Sequence, residues 1–139
     1  MRSILRLGAR GARAAAWLAL AGATSAVAMP PTASRVELQR WFASLQQSRE
    51  ADLGAARTWT FTFVAASTGP LESLWRELVR DGYRLVALDG SGMPSLRVMR
   101  VELHSPATLV QRNQSLTLAA HRHGARYVSF DVARSDAVR

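Results

Sequence analysis

The stretch Thr58-Trp59-Thr60-Phe61-Thr62-Phe63-Val64-Ala65 decides the fold that we predict for this chain. Aromatic residues alternate with threonines, and a period of two puts alternate residues of a strand on opposite faces. The three rings therefore share one face, and the threonines share the other. Such a row of rings predicts a central strand whose aromatic face is covered by helices.

The residues after this strand predict a helix, a hairpin, a second helix and a closing strand. Pro70 begins a helix with an apolar stripe at Leu71, Leu74, Trp75 and Leu78. Further strands are predicted at 83–88, 96–103 and 126–132, and the second helix lies between Ser105-Pro106 and Gly124. The fold class is therefore α+β, a ferredoxin-like split β-α-β-β-α-β antiparallel sheet over 58–132, with the first strand paired to the third and fourth.

Alternation also assigns the faces of the third strand. Met99, Val101 and Leu103 are predicted on the helix-covered face, which leaves Arg100 and Glu102 on the open face. The open face then carries Thr60, Thr62, Arg100, Glu102, Ser129 and Asp131. RNA-recognition motifs need aromatic rings on that face, so we expect no direct nucleic-acid binding. The predicted core is Trp59, Phe61, Phe63, Leu74, Leu78, Val101, Leu116, Ala120 and Phe130.

An extra N-terminal amphipathic helix precedes the sheet, within a linker-and-helix segment at 29–57. Ser34 and Glu37 have capping-box spacing, and an apolar stripe follows at Leu38, Trp41, Phe42 and Leu45. This stripe either docks on the chain's own sheet or binds a partner protein or membrane. The candidate protein-binding residues are accordingly Trp41, Phe42, Thr60, Thr62 and Arg100.

Residues 1–28 have the three parts of an export signal. Four arginines precede an apolar run at 14–23, and Ala26-Val27-Ala28 is a cleavage motif. We therefore predict a periplasmic or secreted protein with no transmembrane span after cleavage; the alternative is a misplaced start and a cytoplasmic protein. The net charge of +8 includes these four arginines, so the body is only mildly basic. A flexible tail is predicted at 133–139.

Signatures of catalysis and of cofactor binding are weak. The 139-residue chain has no cysteine, which excludes disulfides, thiolate zinc sites and cysteine nucleophiles. His121 and His123 are two residues apart on a helix and point away from each other, and neither a G-x-S-x-G motif nor a lysine is present. Glu102 and Asp131 could approach one another, but nearby arginines favour surface ion pairs. We expect no enzyme activity, metal or cofactor.

The pattern resembles the ribonuclease E inhibitor family, the regulators of ribonuclease activity B. The likeness rests on the N-terminal helix, the aromatic first strand, Asp81-Gly82-Tyr83 after the next helix, the hairpin, and a helix rich in Leu and Ala at 116–120. It implies a non-catalytic regulator that binds the endoribonuclease and restrains RNA processing and decay. The family closes with Tyr-Asp-Gly-Trp where this chain has Tyr127-Val128-Ser129-Phe130, so no binding residues are carried over. An exported protein would instead need a different protein or small-ligand partner on the same scaffold.

Overall fold

The computed structural model describes residues 28–134. This part contains α1 (Arg35–Gln47), β1 (Arg57–Val64), α2 (Thr68–Arg80), β2 (Arg84–Asp89), β3 (Ser95–Glu102), α3 (Pro106–Arg122) and β4 (Arg126–Val132). The predicted order of helices and strands is confirmed. The predicted signal peptide lies outside the described residues except for its last alanine, and so does most of the predicted tail, 135–139.

The strands form one antiparallel sheet in the order β2-β3-β1-β4. The central position predicted for β1, between β3 and β4, is confirmed. Phe61 lies opposite Val98 of β3 on one side and Phe130 of β4 on the other. The chain is therefore an α+β protein with a four-stranded antiparallel sheet.

The aromatic face of β1 is the centre of the core. Phe61 and Phe63 are fully buried, and Trp59 is 1% exposed. The ring of Phe61 meets those of Tyr83 and Tyr127 at centroid distances of 5.9 and 6.2 Å. Eight of the nine predicted core residues are buried; the exception is Val101.

Helix α1 docks on the chain's own sheet, the first of the two alternatives left open by the sequence. Ser34 and Glu37 form the predicted capping box at its start. The ring of Trp41 packs edge-on against Trp59 at 6.1 Å and against Phe130 at 5.7 Å. Trp41 and Phe42 are each only 8% exposed, because both side chains belong to the core.

The face assignment of β3 is wrong in the sequence-based prediction. Leu96 and Val98 are fully buried, whereas Val101 is 65% exposed and Leu103 is 62% exposed. Register explains the reversal, because Phe61 pairs with Val98, and directly paired residues point to the same face. Arg100 and Glu102 therefore lie on the helix-covered side, and Met99 and Val101 lie on the other side, while Leu103 follows the strand and is exposed.

The residues directly after β4 make hydrogen bonds to the start of β1. The backbone N–H of Ala133 donates to the carbonyl oxygen of Thr58 at 2.9 Å, and Arg57 reaches the carbonyl oxygen of Arg134 at 2.6 Å. Residues 133 and 134 are thus bound to the first two residues of β1.

Candidate functional site: the open sheet face

The side of the sheet away from the buried aromatics forms an open face whose residues can be read from the strand register. One row across the sheet runs through Arg84, Met99, Thr60 and Asp131, because each is paired with the next. The next row contains Ala87, Arg97, Thr62 and Ser129. Val101 lies opposite Thr58 in a third, shorter row. The open face thus has threonines along its centre and β3 side chains beside them.

Exposed apolar side chains distinguish the β3 side of this face. Val101 exposes 65% of its surface, and Met99 is half-buried on the same face. Leu103, which follows the last residue of β3, exposes 62%. An isolated exposed leucine needs no explanation, but contiguous apolar side chains rimmed by polar residues mark interaction sites. Met99, Val101 and Leu103 are hereafter called the β3 apolar row.

Two of the five predicted binding residues lie on this open face. Thr60 and Thr62 occupy its centre and are half-buried. Arg100 lies on the opposite side of the sheet, where its guanidinium carbon is 5.2 Å from the centre of the Tyr83 ring. The β3 apolar row is the part that sequence reasoning missed. The sequence does show three apolar residues at alternate positions, but their alternation predicts a buried face.

A charged cluster occupies the helix side of the sheet directly beneath that row. The Glu102 carboxylate accepts hydrogen bonds from Arg112 of α3 at 2.6 Å, and its other oxygen lies 2.7 Å from Nε2 of His104. Arg100 adds an ion pair at 3.5 Å. The side chains of Glu102 and His104 are 9% and 6% exposed. Glu102 and Asp131 therefore do not meet, because they lie on opposite faces of the sheet.

The charges of this cluster set the protonation of Glu102. Burial by itself would raise the pKa of Glu102, but the His104 hydrogen bond and the Arg112 guanidinium outweigh it, and the pKa lies below its ordinary value. The lowered pKa favours the ionised carboxylate, which links the end of β3 to the first turns of α3 through Arg112 and His104.

A polar groove of about 490 Å³ opens beside the cluster, lined in part by Glu102, His104, Thr108 and Arg112. The Thr108 hydroxyl, 3.0 Å from Nδ1 of His104, is the nearest nucleophile-type group. That oxygen already accepts from the backbone N–H of Ser105 at 2.9 Å as part of the α3 capping box. The histidine joins the cap to the carboxylate, so the arrangement serves the start of α3.

The two histidines at the end of α3 have separate surroundings. Nε2 of His123 lies 2.9 Å from a Glu77 oxygen, and Arg122 donates to the other oxygen at 2.6 Å. The His123 hydrogen bond is the main reason that the pKa of Glu77 is lowered. His121 is exposed. Within residues 28–134, no three His, Asp or Glu side chains are grouped closely enough to hold a metal ion.

No family model fits the sequence, and no curated protein is similar enough to count as a relative. The resemblance to ribonuclease E inhibitors therefore stays a prediction. In the described part of the chain, no helix combines the length and the apolar character needed to cross a bilayer.

Proposed function

We propose that this chain is a non-catalytic regulator that acts by binding another protein through its open sheet face. One observation carries the proposal: Val101 of β3 and the adjoining Leu103 are exposed to solvent, while Arg100 and Glu102 of β3 lie on the helix-covered side. Exposing two large apolar side chains and burying a carboxylate both oppose folding stability unless they are compensated. Glu102 is compensated by its ion pairs, and a protein partner would compensate the exposed row.

We infer a ferredoxin-like split β-α-β-β-α-β plan for 58–132, extended by α1. Support comes from the strand order β2-β3-β1-β4 and from the helices that connect β1 to β2 and β3 to β4. In this plan both connecting helices cover one face and leave the other free. The free face is then the natural place for a partner, as the exposure of the β3 apolar row independently suggests.

The family resemblance and the predicted leader name different partners. If the protein remains in the cytoplasm, the partner is the endoribonuclease whose RNA cleavage the family restrains. If the leader directs export, the same face binds a protein of the cell envelope. Activity in a periplasm-only reporter fused after Arg40, together with a purified protein that begins near Met29, supports the envelope. An inactive reporter and an intact Met1 would instead support a cytoplasmic protein with the endoribonuclease as its partner.

The surface itself is tested with the purified endoribonuclease by titration calorimetry and by an RNA cleavage assay. The Val101→Asp and Leu103→Asp variants should abolish binding and inhibition, since a charge would be desolvated at the centre of the contact. Val36→Asp is the matched control, because Val36 is 55% exposed on α1. Unchanged inhibition by both β3 variants would refute the open face as the contact surface. If the wild-type chain does not bind at all, the ribonuclease role is refuted.

A further inference from the structure

Strand β2 forms an edge of the sheet that is unusually apolar. It is the terminal strand in the sheet order, and all six of its residues are exposed. Leu85, Val86 and Leu88 expose 47, 42 and 37% of their surfaces. Proteins normally shield such edges with charges, prolines or a covering segment, because an open strand edge pairs readily with another strand.

The opposite edge of the sheet is protected in just this way. Met29 pairs with Phe130 of β4, with its N–H donating to the Phe130 carbonyl oxygen at 2.8 Å and its carbonyl oxygen accepting in return at 2.9 Å. No comparable segment from residues 28–134 pairs with the outer side of β2. Within the described residues, the outer edge of β4 is therefore covered by Met29, whereas the outer edge of β2 is open.

A bulge gives β2 a symmetric arrangement of charge. Arg84 pairs with Met99 and Asp89 pairs with Ser95, and the register skips one residue between Leu85 and Ala87. Six residues of β2 thus face five of β3. Because Met99 and Ser95 are four apart, Arg84 and Asp89 point to the same face, whereas the ends of a regular six-residue strand would point to opposite faces.

We propose that β2 pairs with β2 of a second copy of this chain, antiparallel, about a two-fold axis through the bulge at Val86 and Ala87. Antiparallel neighbours keep side chains on matching faces, so the axis is perpendicular to the sheet. Arg84 then lies opposite the partner's Asp89 at both ends of the pair. Leu85 lies opposite the partner's Leu88, again on one face, and the bulge lies opposite its own copy.

This register is the one in which charge and apolarity both match. A shift by two positions would place one charged end, Arg84 or Asp89, opposite the partner's bulge and leave the other charged end beyond the paired segment. The Asp89 carboxylate also accepts from the N–H and hydroxyl of Ser91 within the following turn, at 2.9 and 2.6 Å. A carboxylate can accept several hydrogen bonds, so that turn is retained when Arg84 of the partner approaches. The dimer is an eight-stranded sheet formed without the β3 apolar row, so it does not rest on the proposed function.

Analytical ultracentrifugation tests the pairing by charge reversal. The wild-type chain should sediment at twice the monomer mass. Arg84→Asp and Asp89→Arg should each be monomeric, because like charges would then oppose each other at both ends. An equimolar mixture of the two variants should recover the dimer mass, since each supplies the charge that the other needs. Arg76→Asp, an equal charge change at an exposed position of α2, should remain dimeric.

A cross-linking experiment locates the axis without depending on those charges. The chain has no cysteine, so any disulfide comes from an introduced residue. Ala87→Cys should form a disulfide-linked dimer on mild oxidation, because a residue beside the axis is close to its own copy. Val36→Cys should stay monomeric on a non-reducing gel. A wild-type monomer at all accessible concentrations overturns the proposal, and so does a dimer that ignores both charge reversals and cross-links equally at both cysteine positions.

Discussion

The orientation of β3 can be measured with one substitution made at two positions. Val98 and Val101 are three residues apart on the same strand, but Val98 is fully buried and Val101 is 65% exposed. Val→Ala removes two carbon atoms, worth about 0.8 kcal/mol each when they are buried. A cavity adds about 1 kcal/mol if the core does not close over it. Val98→Ala should therefore lower the free energy of unfolding by about 2–3 kcal/mol.

Val101→Ala should cost much less. Both substitutions share the weaker strand preference of alanine, which amounts to at most about 1 kcal/mol, so this contribution largely cancels in the comparison. Burial then makes the Val98 variant less stable by about 2 kcal/mol. Urea unfolding followed by tryptophan fluorescence measures the difference as a shift in midpoint at unchanged slope.

The opposite order of stabilities would refute the orientation. If β3 had Val101 in the core, as its local pattern suggests, Val101→Ala would be the more damaging change. Equal losses at both positions would mean that neither face of β3 is solvent-exposed, and the open sheet face would then lose its apolar row.

Three other substitutions probe the remaining contacts by the same unfolding assay. Phe61→Ala should cost about 3–5 kcal/mol, because a fully buried ring leaves a cavity; a loss below about 1 kcal/mol would mean that the aromatic face is exposed. Trp41→Ala should cost about 3 kcal/mol or more if α1 is integral to the core. A near-neutral result would show that α1 does not contribute to the core. Glu102→Gln should cost about 2 kcal/mol at neutral pH. Because folding lowers the pKa of Glu102, its contribution is present above the ordinary value of 4.5 and is lost as pH falls through the folded pKa. The wild type and Glu102→Gln should therefore converge in stability in acid, and a constant gap would contradict the ion pairs.

Much of the fold could be predicted because local patterns and tertiary packing agree. The alternation in β1 has large rings at every second position and threonines between them, so only one face can be buried. Ser34 with Glu37 placed the start of α1 correctly, and Ser105 caps α3 as expected. In each case the residues that make the decisive contacts are close together in the sequence.

The face of β3 could not be predicted because both of its alternating sets contain apolar residues. Local pattern favoured Met99, Val101 and Leu103, since the other set ends in Arg100 and Glu102. In the structure the set that ends in Arg100 and Glu102 faces the helices, where Glu102 forms hydrogen bonds with His104 and with Arg112, ten residues further along the chain. Partners of this kind are invisible to a period-two pattern, and the error removed Val101 and Leu103 from the predicted binding surface.

The exposed row and the open edge have a joint consequence for recognition. A two-fold axis perpendicular to the sheet keeps both copies' open faces on the same side, so the proposed dimer would present two β3 apolar rows to one partner surface. Strand β2 lies beside β3 in the sheet, which places the rows on either side of the new junction. Two linked contacts bind far more tightly than one when the partner can engage both. The Arg84→Asp variant should then bind a repetitive or dimeric partner more weakly although its own β3 row is intact, while binding of a single-site partner should be unchanged. Equal weakening for both kinds of partner would show instead that Arg84 itself belongs to the contact surface.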